Sequence, residues 1–455
     1  MNSKNLFLIV ILIMSFMNVT AQNENEPLDS LIEHAIRVSP KIKLLRSKMD
    51  VSKAKIEKGT NLPDPTLTLG LINMPTNSFS FKQEPMTGKI IGITQAFPFP
   101  GGLGSKSNVI AIDTLIVKQE IEDYKNEIRK DVATLYYDLK LVREEIILTS
   151  ESKVLLDQIS EVVKSKYKVS KVSLQNLVQV EVQMTRVQDK IESLIGKENA
   201  TLAELNVFLL MEENSPIDTD EIIPVSGDKY SSTALIKTAN EYRPFLKGIE
   251  LSEQKSKLME DAADYSYYPN FQIGLQYTQR DYSSITGQNW NDFLSVVVGI
   301  TLPLGYGGGY SSKVEEAQYL QSFYREQYSY SVQSLNQSFG KIVAKLNELQ
   351  IREKLISGTL LPQAHHLLQA SLLDYQVGNV DFVNVINAEN DILKIKTDLI
   401  KIRTEYSKNI AQLEFLVGKE FNDNNKKDNA RLRLDKNETS PSHKKGGQAR
   451  QGEIR

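Results

Sequence analysis

Thioethers suit Cu(I), so Met74 and Met86, which fall in one segment rich in turn-forming residues, are the first side chains here that could hold a soft ion. No His or Cys lies near them, and two thioethers alone read as loop packing. His365 and His366 are adjacent. On a helix they point about 100° apart and cannot share an ion as an i, i+4 pair does. The glycine runs Gly101-Gly102 and Gly307-Gly308-Gly309 lack the Lys-Ser/Thr that follows a phosphate-cradling loop. With no cysteine and only 4 histidines, neither a nucleophile-base pair nor a metal cluster emerges. The residues point to no catalysis, no cofactor and no bound metal.

What the chain has instead is a repeat. GITQAFPFPGGLGSK from Gly92 to Lys106 returns as GITLPLGYGGGYSSK from Gly299 to Lys313, a spacing of 207. At 204, Pro40 matches Pro244, Pro65 matches Pro269 and Gly70 matches Gly274. At 208, Tyr167 matches Tyr375, Val169 matches Val377, Val172 matches Val380 and Glu181 matches Glu389. Matches in constant order at nearly constant spacing mean one structural unit built twice.

The N-terminus carries Lys4, an apolar run from Leu6 to Met14 and the small-residue site Val19-Thr20-Ala21, the layout of a secretory signal over 1–21. No cysteine is available for lipid attachment. A net charge of -3 gives no electrostatic footprint for nucleic acid. No later segment has the roughly 18 consecutive apolar residues of a membrane helix. Entry into a membrane would therefore have to use strands.

Between Pro100 and Pro216 there is no proline, and Ile121, Tyr124, Ile128, Val132, Leu135, Leu139, Val142 and Ile146 step by three or four. That is helix periodicity close to the coiled-coil repeat. It recurs at Val332, Leu335, Phe339, Ile342, Leu346 and Leu349, and from Leu399 to Val417. Elsewhere the period is two: Phe271, Ile273, Leu275 and Tyr277 alternate with polar residues or glycine, and so do Leu67, Leu69 and Leu71. Leu294, Val296, Val298 and Ile300 follow the rule with Val297 as the exception. The spacing predicts a signal over 1–21 and a first repeat over 22–211, with a β-hairpin about 66–97 and a helical hairpin about 105–210. A polar connector over 212–231 follows. The second repeat, 232–421, holds a β-hairpin about 269–304 and a helical hairpin about 311–418. The segment 422–455 reads as a disordered polar tail.

Four strands with one greasy and one small, polar face suit neither water nor lipid alone. In lipid an open sheet edge is forbidden, and the smallest barrels have eight strands, so two, three or four copies must each supply a sheet. Closed with the polar face inward, such a wall encloses water. A periplasmic adaptor or structural coiled-coil protein would share the helical hairpins but would not need two duplicated, two-faced strand pairs.

With the duplication, the hairpins, the Pro- and Gly-rich strand exits (PFPGG at 98–102, PLGYGGG at 303–309) and the paired segments YKVSKVSLQNL and YQVGNVDFVNVINAE in view, residues 28–420 resemble the TolC family of outer-membrane efflux proteins. LPDPTLTLG at 62–70 and SFSFKQEPMTGKIIGITQAFPFPGG at 78–102 resemble its heavy-metal, CusC/CzcC-like branch. The resemblance implies a mainly α protein with a membrane β-barrel. It implies a homotrimer whose twelve strands lie in outer-membrane lipid and whose helices form a periplasmic tunnel. Its implied partners are a periplasmic adaptor and an inner-membrane pump, and no nucleic acid. Adaptor docking falls on the tips, here Val169, Ser170, Lys171 and Val172 with Val377, Gly378, Asn379 and Val380. The aspartates that constrict many members align with Asn384 and Asn387. The charge is absent from both, and neighbouring Asp381 is either its substitute or a helix cap.

Overall fold

The computed structural model describes residues 27–421. The expected export signal and polar tail lie outside the described residues. By contact density the chain forms two compact units. One takes the described residues up to Pro40, Tyr124–Arg243 and those from Leu335 onward; the other takes Lys41–Asp123 and Pro244–Ser334. Each unit therefore draws on both repeats.

In the second unit, helix α1's successor α2 (Pro40–Thr60; α1 is Pro27–Val38) leads to strands β1 (Thr66–Ile72) and β2 (Gly88–Phe97). Helix α3 (Gly102–Lys168) begins directly after them, and its partner α4 (Leu174–Leu209) belongs to the first unit. The second repeat follows the same order: α5 (Ser232–Tyr242), α6 (Pro244–Asp264), β3 (Asn270–Gln279), β4 (Phe293–Thr301) and α7 (Gly309–Leu355). A π-helical segment, Ile356–Leu360, joins α7 to α8 (Leu361–Val377), and α9 (Phe382–Val417) returns. The two hairpins and the two long helical arms thus stand where the periodicities put them. β4 stops at Thr301 rather than near 304, because Pro303 has no N–H for the ladder.

The π segment explains a one-residue oddity in the repeat. The spacing between copies is 207 at the start of the long helices and 208 at their far ends, and a π bulge is how an α-helix absorbs one extra residue without turning everything beyond it by about 100°. α3 runs through 67 residues without such a bulge.

The first unit is held by the apolar stripes of its helices. Ile128, Val132, Leu139 and Val142 of α3 are buried, as are Leu346, Leu349, Leu399, Ile402 and Leu413 on the returning elements. The 212–231 connector is held in place by side chains of the helices. Asn206 donates to the Glu213 and Ser215 carbonyls at 2.9 and 3.0 Å, Arg143 donates to the Ile217 carbonyl at 2.6 Å, and Ile217 is buried. Side chains from the helices thus supply the hydrogen bonds that a strandless segment needs.

Candidate functional site: a two-faced sheet and paired hairpin tips

The four strands form one antiparallel sheet in the order β1-β2-β3-β4, so the two hairpins fuse along β2 and β3. Register decides the chemistry of each face. Leu67, Ile93, Leu275 and Val296 lie in one cross-strand row, and Leu69, Ile91, Tyr277 and Leu294 in the next. The intervening rows are Thr68, Gly92, Gln276 and Ser295, then Thr66, Thr94, Gly274 and Val297. One face is thus nearly all large aliphatic and aromatic, the other small and polar, because side chains alternate strictly along each strand. The apolar rows are bare: Leu294 and Val296 are each 69% exposed. Gly299 lies on the polar face, where a Cβ would meet the Gln272 side chain and force it to shift.

Side chains tie the loops at the far end of the sheet together. Arg280 stacks on Phe293 with its guanidinium 3.8 Å from the ring centroid and donates to the Asn291 and Pro85 carbonyls at 2.6 and 2.7 Å. Lys82 donates to the Tyr282 hydroxyl at 2.6 Å, and Ser284 N–H donates to the Lys82 carbonyl at 3.0 Å. Met86 in this region is exposed and Met74 half-buried. Among the described residues no cluster of His, Cys, Asp or Glu could hold a metal.

The tips of the helical hairpins sit in the first unit, and they repeat each other bond for bond. Ser170 (φ 55°) donates its N–H to the Tyr167 carbonyl, and Lys171 donates to Lys166; Gly378 (φ 86°) donates to Tyr375, and Asn379 donates to Asp374. Both are left-handed helix stops with paired returning bonds. Ser173 and Asp381 then take matching N-cap backbone angles, and neither side chain makes a cap hydrogen bond. Asp381 thus occupies the cap position geometrically while its carboxylate stays exposed, alongside Asn384 and Asn387 on one exposed face of α9.

The eight tip residues divide in two. Val169 and Val377 project into solvent at 63% and 72% exposure, with Ser170, Lys171, Gly378 and Asn379 exposed beside them. Val172 and Val380 instead pack against a core of Ile159, Val163, Val180, Tyr375, Phe382 and Val385 drawn from both hairpins. Lys166 fastens the tips together: its ammonium donates to the Tyr375 carbonyl at 2.7 Å and sits 4.2 Å from the Tyr375 ring centroid. Sequence reasoning missed this lysine, and only its place one residue before the duplicated Tyr167 hinted at it.

Further along α9, Glu389 is buried and one of its carboxylate oxygens has no hydrogen-bond partner, whereas its repeat mate Glu181 is exposed. Burial pushes its carboxyl above the usual range, against the opposing pull of the Ser152 hydroxyl, Lys396 and His365. His365 and His366 are both exposed. At the end of α9, Glu414 accepts the Phe421 N–H at 2.7 Å, and burial of its carboxyl raises it to about 7. No helix among the described residues is long and apolar enough to cross a membrane.

With a fused four-stranded sheet whose apolar face is bare and helical hairpins far longer than those of ordinary domains, the chain has the fold of the outer-membrane channels. VceC of Vibrio cholerae superimposes with a TM-score of 0.71, at 14% identity over 87% of this chain and 97% of its own. CusC gives 0.68, at 16% identity over 86% and 92%, and the open-state MtrE outer membrane channel of Neisseria gonorrhoeae gives 0.68, at 14% over 86% and 89%. A family profile described as "Outer membrane efflux protein" matches residues 235–419, which is the second repeat. No curated protein sequence matches the chain.

Proposed function

We propose that this chain is the outer-membrane exit duct of a tripartite efflux system, a passive conduit rather than an enzyme. Three copies each supply four strands to a twelve-stranded barrel in outer-membrane lipid, and their helices continue as a periplasmic tunnel. The observation that carries this reading is the sheet. Its apolar rows suit acyl chains, its polar rows suit water, and among the described residues β1 and β4 each have only one neighbour, so the ladder needs further copies to close. The family profile over the second repeat supports the same reading. A coiled-coil adaptor accounts for the helices but leaves the bare aliphatic face without a solvent.

Energy then comes from an inner-membrane pump, reached through a periplasmic adaptor that docks on the tips at Val169, Ser170 and Lys171 and at Val377, Gly378 and Asn379. Val172 and Val380 shape those tips from within. Asp381, Asn384 and Asn387 line the periplasmic constriction, where one carboxylate per chain focuses cations more weakly than a row of aspartates would. The cargo class is heavy-metal cations, on the likeness of residues 62–102 to that branch, with selectivity residing in the pump. A deletion strain grown on copper, zinc, cobalt and cationic dyes tests this. Sensitivity to one or more of the metals alone supports the cargo, and sensitivity to dyes alone overturns it. Retention of the protein in membranes washed with alkaline carbonate, and release only by detergent, supports the barrel; release by carbonate overturns it.

A further inference from the structure

Internal duplication lets each half of the second unit serve as a template for the other. Up to the π segment the long helices correspond at a spacing of 207, so Ile112, Ile116 and Asp123 of α3 match Tyr319, Phe323 and Tyr330 of α7. Steps of four and seven residues put each trio on one helix face. The burial of the two faces differs sharply. Ile112 is 8% exposed and its two companions are half-buried, whereas Tyr319 and Tyr330 are 73% and 72% exposed and Phe323 is bare as well.

Helix α6 packs on this part of α3. Lys255 of α6 pairs with Asp113 of α3 at 2.7 Å, and a Cβ on Gly248 would stand 3.8 Å from the Gln119 Cβ, so the two helices run antiparallel in contact. The counterpart of α6, at a spacing of 204, is α2. Gly248 becomes Leu44 and Lys255 becomes Val51, and both replacements are large, apolar and more than half exposed. On the other side Asp113 becomes Leu320 and Gln119 becomes Glu326. The Lys255–Asp113 ion pair inside the chain therefore has an apolar image in Val51 and Leu320; Leu44, Val51 and Glu326 lie exposed and Leu320 is half-buried.

We propose that α2 of a second copy of this chain covers the Tyr319, Phe323 and Tyr330 stripe of α7, with Leu44 set beside Glu326 and Val51 beside Leu320. Chain order supports that occupant. α3 leaves the sheet from β2 and α6 enters it at β3, its neighbour. α7 likewise leaves from β4, and α2 enters at β1, so laying one copy's β1 along another's β4 brings α2 against α7. The seam rests on the ring of copies proposed above and goes further, by assigning its helical contacts.

The chain's lack of cysteine makes the test clean. Two Cβ atoms about 3.8 Å apart suit a disulfide, so Leu44→Cys with Glu326→Cys, oxidised in membranes, links copies. The expected result on a non-reducing gel is a shift from one chain mass to two and three, reversed by reductant and absent from either single variant. Gly248→Cys with Gln119→Cys serves as the control, closing within one chain. If the control closes and the detergent-solubilised complex weighs several chains, but the Leu44/Glu326 pair leaves every chain single, the seam is overturned and the ring survives. A complex that weighs one chain overturns the ring and the seam together.

Discussion

Placing an arginine at Val296 or at Ser295 separates the two faces of the sheet within one residue of strand. Val296 lies near the middle of β4 in the row Leu67, Ile93, Leu275 and Val296, and 69% of it is bare in the single chain. In water an arginine on so exposed a position is nearly neutral, within about 0.5 kcal/mol. Facing acyl chains near the bilayer midplane, it costs about 2–4 kcal/mol. In the proposed ring of three each copy carries the substitution, so Val296→Arg is expected to destabilise the assembled barrel by roughly 6–12 kcal/mol if the sites act independently. Ser295 pairs with Gln276 on the small, polar face. An arginine there keeps its hydration inside an aqueous bore, and the expected cost is under about 1 kcal/mol per chain. Urea midpoints of the protein refolded into bilayers, read as the fraction that resists dissociation on an unheated gel, measure both variants. Equal midpoints for Val296→Arg and Ser295→Arg refute the assignment of faces, and a larger loss for Ser295→Arg reverses it.

At the tips, Val169→Asp with Val377→Asp is expected to abolish efflux while the assembled complex keeps its size in detergent, since both side chains face solvent; undiminished resistance in a strain carrying the variant counts against docking there. Glu414 in its folded setting titrates near 7, above the ordinary carboxylate range, so its contribution is full below about pH 4.5 and is lost as pH rises through about 7. Glu414→Gln keeps the acceptor for the Phe421 N–H and removes that loss. The wild-type urea midpoint is expected to fall more than the variant's between pH 5 and 8, and parallel profiles refute the assignment. Deleting Gly358 from the π segment lets the helix close as plain α and is expected to cost under about 1 kcal/mol, whereas deleting Ser152 from unbroken α3 turns the residues on one side of the gap by about 100° against their neighbours. Thermal melts of the two deletions compare them directly, and similar losses refute the reading of the bulge.

Much of this architecture was legible because its signals are periodic and were written twice. Alternation at Phe271 to Tyr277 and stepping from Ile121 to Ile146 give element type without tertiary information, and their recurrence 204 to 208 residues later excludes accident. What could not be read depends on pairing across the chain. The fusion of β2 to β3 is a contact between repeats, and nothing local to either strand announces it. Val172 and Val380 look identical to Val169 and Val377 in sequence, and only the packing of Tyr375 and Phe382 beneath the tips separates inward from outward. Lys166 was hidden for a similar reason, because its acceptors are backbone carbonyls of the other hairpin. The spacing change from 207 to 208 was visible from the start, but it takes the π geometry at Ile356–Leu360 to give it a cause.

Single-channel recording across planar bilayers tests the central claim most directly. A ring of strands with its polar rows turned inward gives discrete, ohmic conductance steps that persist without pump or adaptor. Purified, detergent-folded protein that inserts and yet conducts no ions contradicts the water-filled bore.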